Sequence, residues 1–234
     1  MRLRLSDVAR FALLAGLAFA LAYGLPRFGG SSSVTSVYNM LLLFSFLVGF
    51  FINRALERRK AIWNGAEVEL SRLRRIYNFC GCVSDAEWGK RLHQALVKYH
   101  LQVGADLFAY PEALDDYRAV AQMIYHYEPK TARDAIVFND LLETTRDIAL
   151  ERRPLERSLD NRLPAQSWMV IGFIVAAVFV LLLMNRGQGM TAFSVSLTMT
   201  GILAVLDLLW RTDAISKEEV ASLQRLYRDN VPSR

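Results

Sequence analysis

Hydrophobic and polar positions are sharply segregated along the chain. Four stretches carry no charged residue: 11–26, 28–53, 163–185 and 187–206, of 16, 26, 23 and 20 residues. An α-helix rises ~1.5 Å per residue and a bilayer's hydrocarbon core is ~30 Å thick. The last three stretches are long enough to span it. The first is shorter, but Val8 and Ala9 extend it and Arg10 can snorkel to the headgroups. The pattern predicts four transmembrane helices and excludes a freely soluble globular protein.

Between these stretches the apolar period is helical. Ile62, Ala66, Leu70, Leu73, Tyr77 and Cys80 recur at three- and four-residue intervals, and nothing from Phe51 to Arg58 breaks a helix. The second span is therefore expected to continue beyond the membrane and to stop near Gly81. Ser84-Asp85-Ala86-Glu87 has the capping-box form and predicts a helix with Trp88, Leu92, Leu96, Tyr99, Val103 and Leu107 on one face. A helix from Pro111 presents Leu114, Tyr117, Ala121, Ile124 and Tyr127. Another, capped near Thr131, presents Ile136, Leu141, Thr145 and Ile148 and passes Pro154. Ser216-Lys217-Glu218-Glu219 caps a short amphipathic tail helix with Val220, Leu223 and Tyr227. No segment has strand periodicity, and no repeat is present. The fold class is all-α: an integral membrane protein with four transmembrane helices and a helical cytoplasmic domain between the second and third. The expected domains are residues 1–56, an N-terminal pair of spans; 57–165, the cytoplasmic helices; 166–210, a C-terminal pair; and 211–234, the tail. Periodicity leaves open whether the cytoplasmic faces close into one bundle or are buried between subunits.

Charge sets the orientation. Of 28 Lys and Arg residues, 26 lie in residues 1–10, 54–162 and the tail; only Arg27 and Arg186 occupy the two short connecting loops. By the positive-inside rule both termini and the central block are cytoplasmic. The net charge of +5 thus reflects insertion bias rather than nucleic-acid binding. Met1–Arg10, Phe11–Leu21 and Ala20-Leu21-Ala22 also fit a cleaved signal peptide, although cleavage would leave an unpaired three-span bundle. The averages, 53% hydrophobic and 22% charged, conceal all of this.

No enzyme motif is present: no phosphate-binding glycine loop, no His-Glu-x-x-His and no Gly-x-Ser-x-Gly. Cys80-Gly81-Cys82 lacks the second pair of a structural zinc site. His93 and His100 stand two helical turns apart, too far for joint ligation without other ligands, and His126 has no metal-type neighbours. No cofactor or metal is implied. The spans hold no ionisable residue at mid-depth, unlike an ion-coupled transporter. Asp207 is four residues from Arg211 and can pair with it. On the second span Leu42, Phe46 and Phe50 stand four apart, with Ser45, Gly49 and Asn53 on the adjacent stripe. Apolar rings can gate a pore by dewetting, and the same spacing also suits ordinary packing against lipid or a helix.

Ser45-Phe46-Leu47-Val48-Gly49-Phe50-Phe51 resembles the pore-lining helix of bestrophins, and the layout of two spans, a helical block and two spans is similar. Arg58-Arg59-Lys60-Ala61-Ile62, Leu163-Pro164 before Trp168, and Leu206-Asp207 followed by Ile215-Ser216 resemble the bacterial bestrophin-like family of unknown function. The resemblance implies a homo-oligomer, a pentamer in bestrophins, in a bacterial inner membrane. It also implies small anions such as chloride as the permeant partner, with a neck at Leu42, Phe46 and Phe50. Gly49 and Asn53 would complete the pore lining, and rings of Arg27 and Arg186 would mark the outer mouth. The chain departs from animal bestrophins in lacking both the acidic calcium clasp after the last span and the paired tryptophans after the pore helix, so calcium gating has no basis here. The rival reading is a non-conducting membrane scaffold or regulator whose cytoplasmic helices bind a partner.

Overall fold

The computed structural model describes residues 5–25, 34–107, 110–187 and 189–231. Eight helices account for their regular structure: α1 Leu5–Gly24, α2 Val34–Cys80, α3 Ala86–Ala105, α4 Leu114–Tyr125, α5 Ala132–Asp160, α6 Ala165–Met184, α7 Met190–Asp213 and α8 Lys217–Asp229. No strand occurs among the described residues. Three helical stretches are long and apolar enough to cross a membrane: Thr35–Cys80, Ala132–Met184 and Met190–Asp229. Val8–Gly24 is a shorter apolar helix. The expected continuation of the second apolar stretch is present, because α2 is one helix of 47 residues.

The chain forms two compact units. The first comprises the described parts of Met1–Leu56 and Leu163–Ala214. Its core joins Ala18 and Ala22 of α1, Phe44, Val48 and Phe51 of α2, Ile171, Ile174 and Val178 of α6, and Val195, Met199 and Ile202 of α7. Helix α1 packs on α7, and small residues make this possible. Ala18, Ala22, Ala192, Ser196 and Thr200 are all buried and allow backbones to approach closely. The two hydroxyls cost nothing in desolvation, since Ser196 Oγ donates to the Ala192 carbonyl at 2.9 Å and Thr200 Oγ1 to that of Ser196 at 2.8 Å. At the other end of α6 and α7, Trp168 meets Trp210 edge to face at 5.2 Å. Asp213 accepts from the Leu163 N–H at 3.0 Å, and Arg211 pairs with Asp207 at 2.9 Å as the spacing predicts.

The second unit comprises Glu57–Arg162 and the described part of Ile215–Arg234. It closes a core of its own in which α3 contributes Trp88, Leu92, Leu96, Tyr99 and Val103, and α8 contributes Leu223 and Tyr227. Gly89 is required where α3 passes the end of α2: a Cβ there would lie 2.5 Å from the Cys80 carbonyl oxygen. Basic and amide side chains occupy helix C-termini, where carbonyls lack intrahelical donors. Arg58 donates to the Ser158 and Leu159 carbonyls at the end of α5 (2.7 and 2.8 Å). Gln224 and Arg228 of α8 do the same for Ala105 and Gly104 at the end of α3 (3.0 and 2.8 Å).

Three local expectations are corrected. The cap of α3 is Asp85, which accepts from the Trp88 N–H at 3.0 Å. Ser84 is drawn away because its N–H and hydroxyl both bond to buried Asp134. Helix α4 starts at Leu114, not Pro111, which lies in a preceding turn closed by Leu114 N to Pro111 O at 3.1 Å. Ile136 is 68% exposed, and its neighbour Val137 enters the core instead. The buried register of α5 runs Val137, Leu141, Thr144, Ile148, Arg152, Leu155, Leu159, one residue and ~100° away from Ile136. The caps expected at Thr131 and Ser216 form, each closed into a capping box by Asp134 and Glu219 respectively.

Candidate functional site

Within the first unit, α2 has two opposed faces. Phe44, Val48, Phe51 and Ala55 are buried. Leu42, Phe46, Gly49, Phe50 and Asn53 lie on the other side and are all exposed. These five positions fall within an arc of ~100° around the helix. Leu42 is 55%, Phe46 71% and Phe50 58% exposed. A β-carbon added at Gly49 would meet nothing within 4 Å. Ser45 on the adjoining stripe returns its hydroxyl to the Leu41 carbonyl at 2.8 Å, so the stripe offers no unpaired donor there. The sequence-predicted residues of α2 are thus brought onto one face, an apolar row ending in the amide of Asn53.

Arg186 is half-buried and donates from Nη1 to the Leu25 carbonyl, at 3.0 Å, just beyond the end of α1. A guanidinium in that position opposes the negative end of a helix. Arg27 lies outside the described residues. The histidines are apart: His93 bonds the Tyr77 hydroxyl, His126 Nδ1 meets the Gln122 carbonyl at 2.7 Å, and His100 is buried beside Tyr227, with ring centroids 6.4 Å apart. Burial lowers His100 to a pKa of about 4, against a smaller opposing effect of its bond to the Tyr227 backbone. Burial likewise pushes the Cys80 thiol up to about 12, which makes it a poor nucleophile. Among the described residues no group of three or more His, Cys, Asp or Glu side chains is placed to hold a metal.

One charged cluster had no counterpart in the sequence reading. Glu69 of α2 is only 1% exposed. It accepts the hydroxyls of Tyr99, of Tyr110 at 2.8 Å and of Tyr227 at 2.6 Å. Arg152 of α5 lies 3.6 Å from its carboxylate, donates to the Tyr99 hydroxyl and, at 3.2 Å, to the Tyr110 carbonyl. The guanidinium also lies over the rings of Tyr110, Tyr117 and Tyr99, at 4.3, 5.1 and 5.3 Å, within cation–π range. Burial, then the charge of Glu69, drives Tyr99 and Tyr227 well above the usual phenol range, so they remain donors. For Arg152 burial disfavours the charge, and the surrounding tyrosine and glutamate oxygens more than offset it. The cluster joins five helices and a loop without leaving a carboxylate oxygen unbonded. It fixes this unit rather than offering a reactive group. The signal for it was present: Glu69 lies on the Ile62–Ala66–Leu70–Leu73 stripe, and Arg152 on the Ile148–Leu155 stripe.

These features define an all-helical membrane protein whose second long helix presents an unpartnered apolar row. The Bestrophin-like domain family matches residues 33–210, about three-quarters of the 234-residue chain, and the chain belongs to that family. Among solved structures it resembles a crystal structure described as a membrane protein, with TM-score 0.69, 13% identity, and 97% and 98% of the two chains covered. It also resembles two point variants of a bacterial Bestrophin homolog from Klebsiella pneumoniae. One has TM-score 0.66 and 13% identity over 96% of each chain. The other has TM-score 0.64 and 14% identity over 97% and 96%. At these identities the likeness is one of fold. No curated protein matches the chain in sequence.

Proposed function

We propose that the chain is the subunit of an oligomeric anion pore in a bacterial inner membrane. In this reading α1, the first part of α2, α6 and α7 are four spans. Both termini and the second unit are cytoplasmic, following the distribution of Lys and Arg. Copies related by an axis bring the Leu42, Phe46 and Phe50 rows together as a dry neck, with Gly49 giving it slack and Asn53 at its cytoplasmic end. Five copies, as in bestrophins, would ring the outer mouth with Arg27. Arg186 would add positive potential there while holding the end of α1. A concentrated positive potential raises the local anion concentration.

The observation that carries the reading is the exposed row itself. Three large apolar side chains and a glycine occupy one face of α2 while the opposite face is packed. A row of this kind needs lipid, a neighbouring copy or a pore axis to cover it. Family membership favours the axis. The second unit also closes a core of its own, which supports the bundle alternative that the periodicity had left open. Planar-bilayer recording of the purified protein tests the proposal. Anion-selective current is expected, with larger conductance in Phe46→Ala because the neck widens. Absence of current from both the wild type and Phe46→Ala overturns it.

A further inference from the structure

The last turns of α5 contain a cleft of about 570 Å³ lined by Arg153, Glu156, Arg157, Asp160 and Asn161. These residues recur at intervals of three and four on one helix face. All are exposed except Glu156, which is half-buried. Arg153 and Glu156, and likewise Arg157 and Asp160, have the i, i+3 spacing at which side chains can pair. Yet none of the four charged groups has an ion-pair partner within 4.0 Å among the described residues. Two guanidiniums and two carboxylates therefore line one cleft with no direct ion pair between them.

The position of the cleft in the chain identifies its surroundings. Asp160 ends α5, and Ala165 begins the apolar helix α6. Five residues of extended chain reach at most ~17 Å, so on the proposed membrane reading the cleft cannot lie far from the headgroup layer. Phosphate suits paired arginines, which bind it through forked N–H donors. A purely anionic ligand would leave Glu156 and Asp160 repelling it. A quaternary ammonium has no N–H to donate and favours aromatic cages, whereas among the described residues no aromatic side chain lines this cleft. A primary ammonium offers three donors to carboxylates.

We propose that this cleft is a binding site for the phosphoethanolamine headgroup of a membrane lipid, with the phosphate on Arg153 and Arg157 and the ammonium on Glu156 and Asp160. The inference rests on the membrane placement in the proposed function, not on conduction. The test uses the full chain in detergent, titrated with dioctanoyl phosphatidylethanolamine, phosphatidylcholine or phosphatidylglycerol and examined by native mass spectrometry. Phosphatidylethanolamine is expected to occupy the chain about five-fold more than either other lipid. Arg153→Gln with Arg157→Gln should reduce it to the phosphatidylcholine level. Glu156→Gln with Asp160→Asn should lower phosphatidylethanolamine and raise phosphatidylglycerol. These side chains are largely solvent-facing, so both double variants should fold. Equal binding of phosphatidylethanolamine and phosphatidylcholine to the wild type, or a preference unchanged in both double variants, overturns the site. Displacement of the lipid by an equal concentration of free phosphoethanolamine overturns a lipid as the occupant. Carbonate-washed membranes separate the two levels of the argument. A chain retained in them but indifferent to headgroup refutes the site alone, whereas a chain released into solution refutes the membrane reading and the site together.

Discussion

The two units solve the problem of polar groups in opposite ways. The first contains long uncharged helices and brings backbones together with alanine, serine and threonine. Its buried hydroxyls bond back to their own helices, and its long-range polar contacts, Asp213 with the Leu163 N–H and Arg186 with the Leu25 carbonyl, lie at helix ends. The second buries a carboxylate and a guanidinium outright and satisfies them with four tyrosines drawn from separate elements. On the proposed membrane reading the difference follows from the surroundings. Where lipid competes for nothing, shape and close approach would provide the association. Where water competes, an apolar core would set the fold and a fully bonded ionic cluster can fix which helix meets which.

The sharpest way to break this contrast is to remove one partner of the buried cluster. Glu69→Ala leaves Arg152 and three phenolic hydroxyls without their acceptor, and deleting one member of a buried pair typically costs ~3–5 kcal/mol. Loss of the second unit's unfolding transition is expected, measured by fluorescence of Trp63 and Trp88 in denaturant. The apolar helices should remain helical by circular dichroism. If the first unit unfolds at the same denaturant concentration as the second, the two are not the independently stabilised regions argued for here.

A smaller effect of a purely steric kind is expected at Gly89. The added methyl of Gly89→Ala would meet the Cys80 carbonyl at 2.5 Å, and backbone cannot yield as a flexible side chain does. Overpacking of this kind costs ~1–3 kcal/mol. Gly172→Ala in α6 is the control, since a β-carbon there has nothing within 4 Å and should leave stability near that of the wild type. Matching thermal midpoints for the two variants would show that the α2–α3 crossing has more slack than its geometry indicates.

What the sequence made legible divides along the same line. Uncharged length and the helical period located every helix of the first unit and the row at Leu42, Phe46 and Phe50, because these are properties of single segments. The Glu69 cluster was not legible in the same way. Its members lie at 69, 99, 110, 117, 152 and 227, and only the fold makes them neighbours. An acid and an arginine, each within an apolar stripe, were its local traces. Ser84 shows the limit at shorter range: a four-residue motif fits a capping box, but Asp134, fifty residues away, competes successfully for both of its donors. Ile136 was misplaced because consecutive apolar residues at 136 and 137 leave the helical phase ambiguous.

Acid should act on the second unit in two separate windows. His100 has a folded pKa of about 4 against an ordinary 6.5, chiefly through burial. Between those values the unfolded chain binds the additional proton, so stability falls as pH drops from about 6.5 toward 4, with a slope of at most ~1.4 kcal/mol per unit. Asp134, held down to about 2 from 3.8 first by its bonds from Ser84, contributes stability that is lost only below about 3.8. His100→Leu should flatten the upper window and Asp134→Asn the lower one. An unchanged upper window in His100→Leu would show that acid acts there through another group.

The smallest effect is expected where the first unit does carry an ion pair. Asp207 and Arg211 are 2.9 Å apart with about a third of each side chain exposed, at i, i+4 spacing. Partly solvated pairs contribute ~0–1 kcal/mol, and both groups lie in the last two turns of α7. Asp207→Asn should therefore shift the thermal midpoint little, while Glu69→Gln, which keeps nearly the same shape but removes the buried negative charge, should shift it several times more. The ratio of the two isosteric changes isolates burial from charge itself. If Asp207→Asn proves as damaging as Glu69→Gln, the first unit also depends on an ionic contact, and the division between packing by shape and fixing by charge fails.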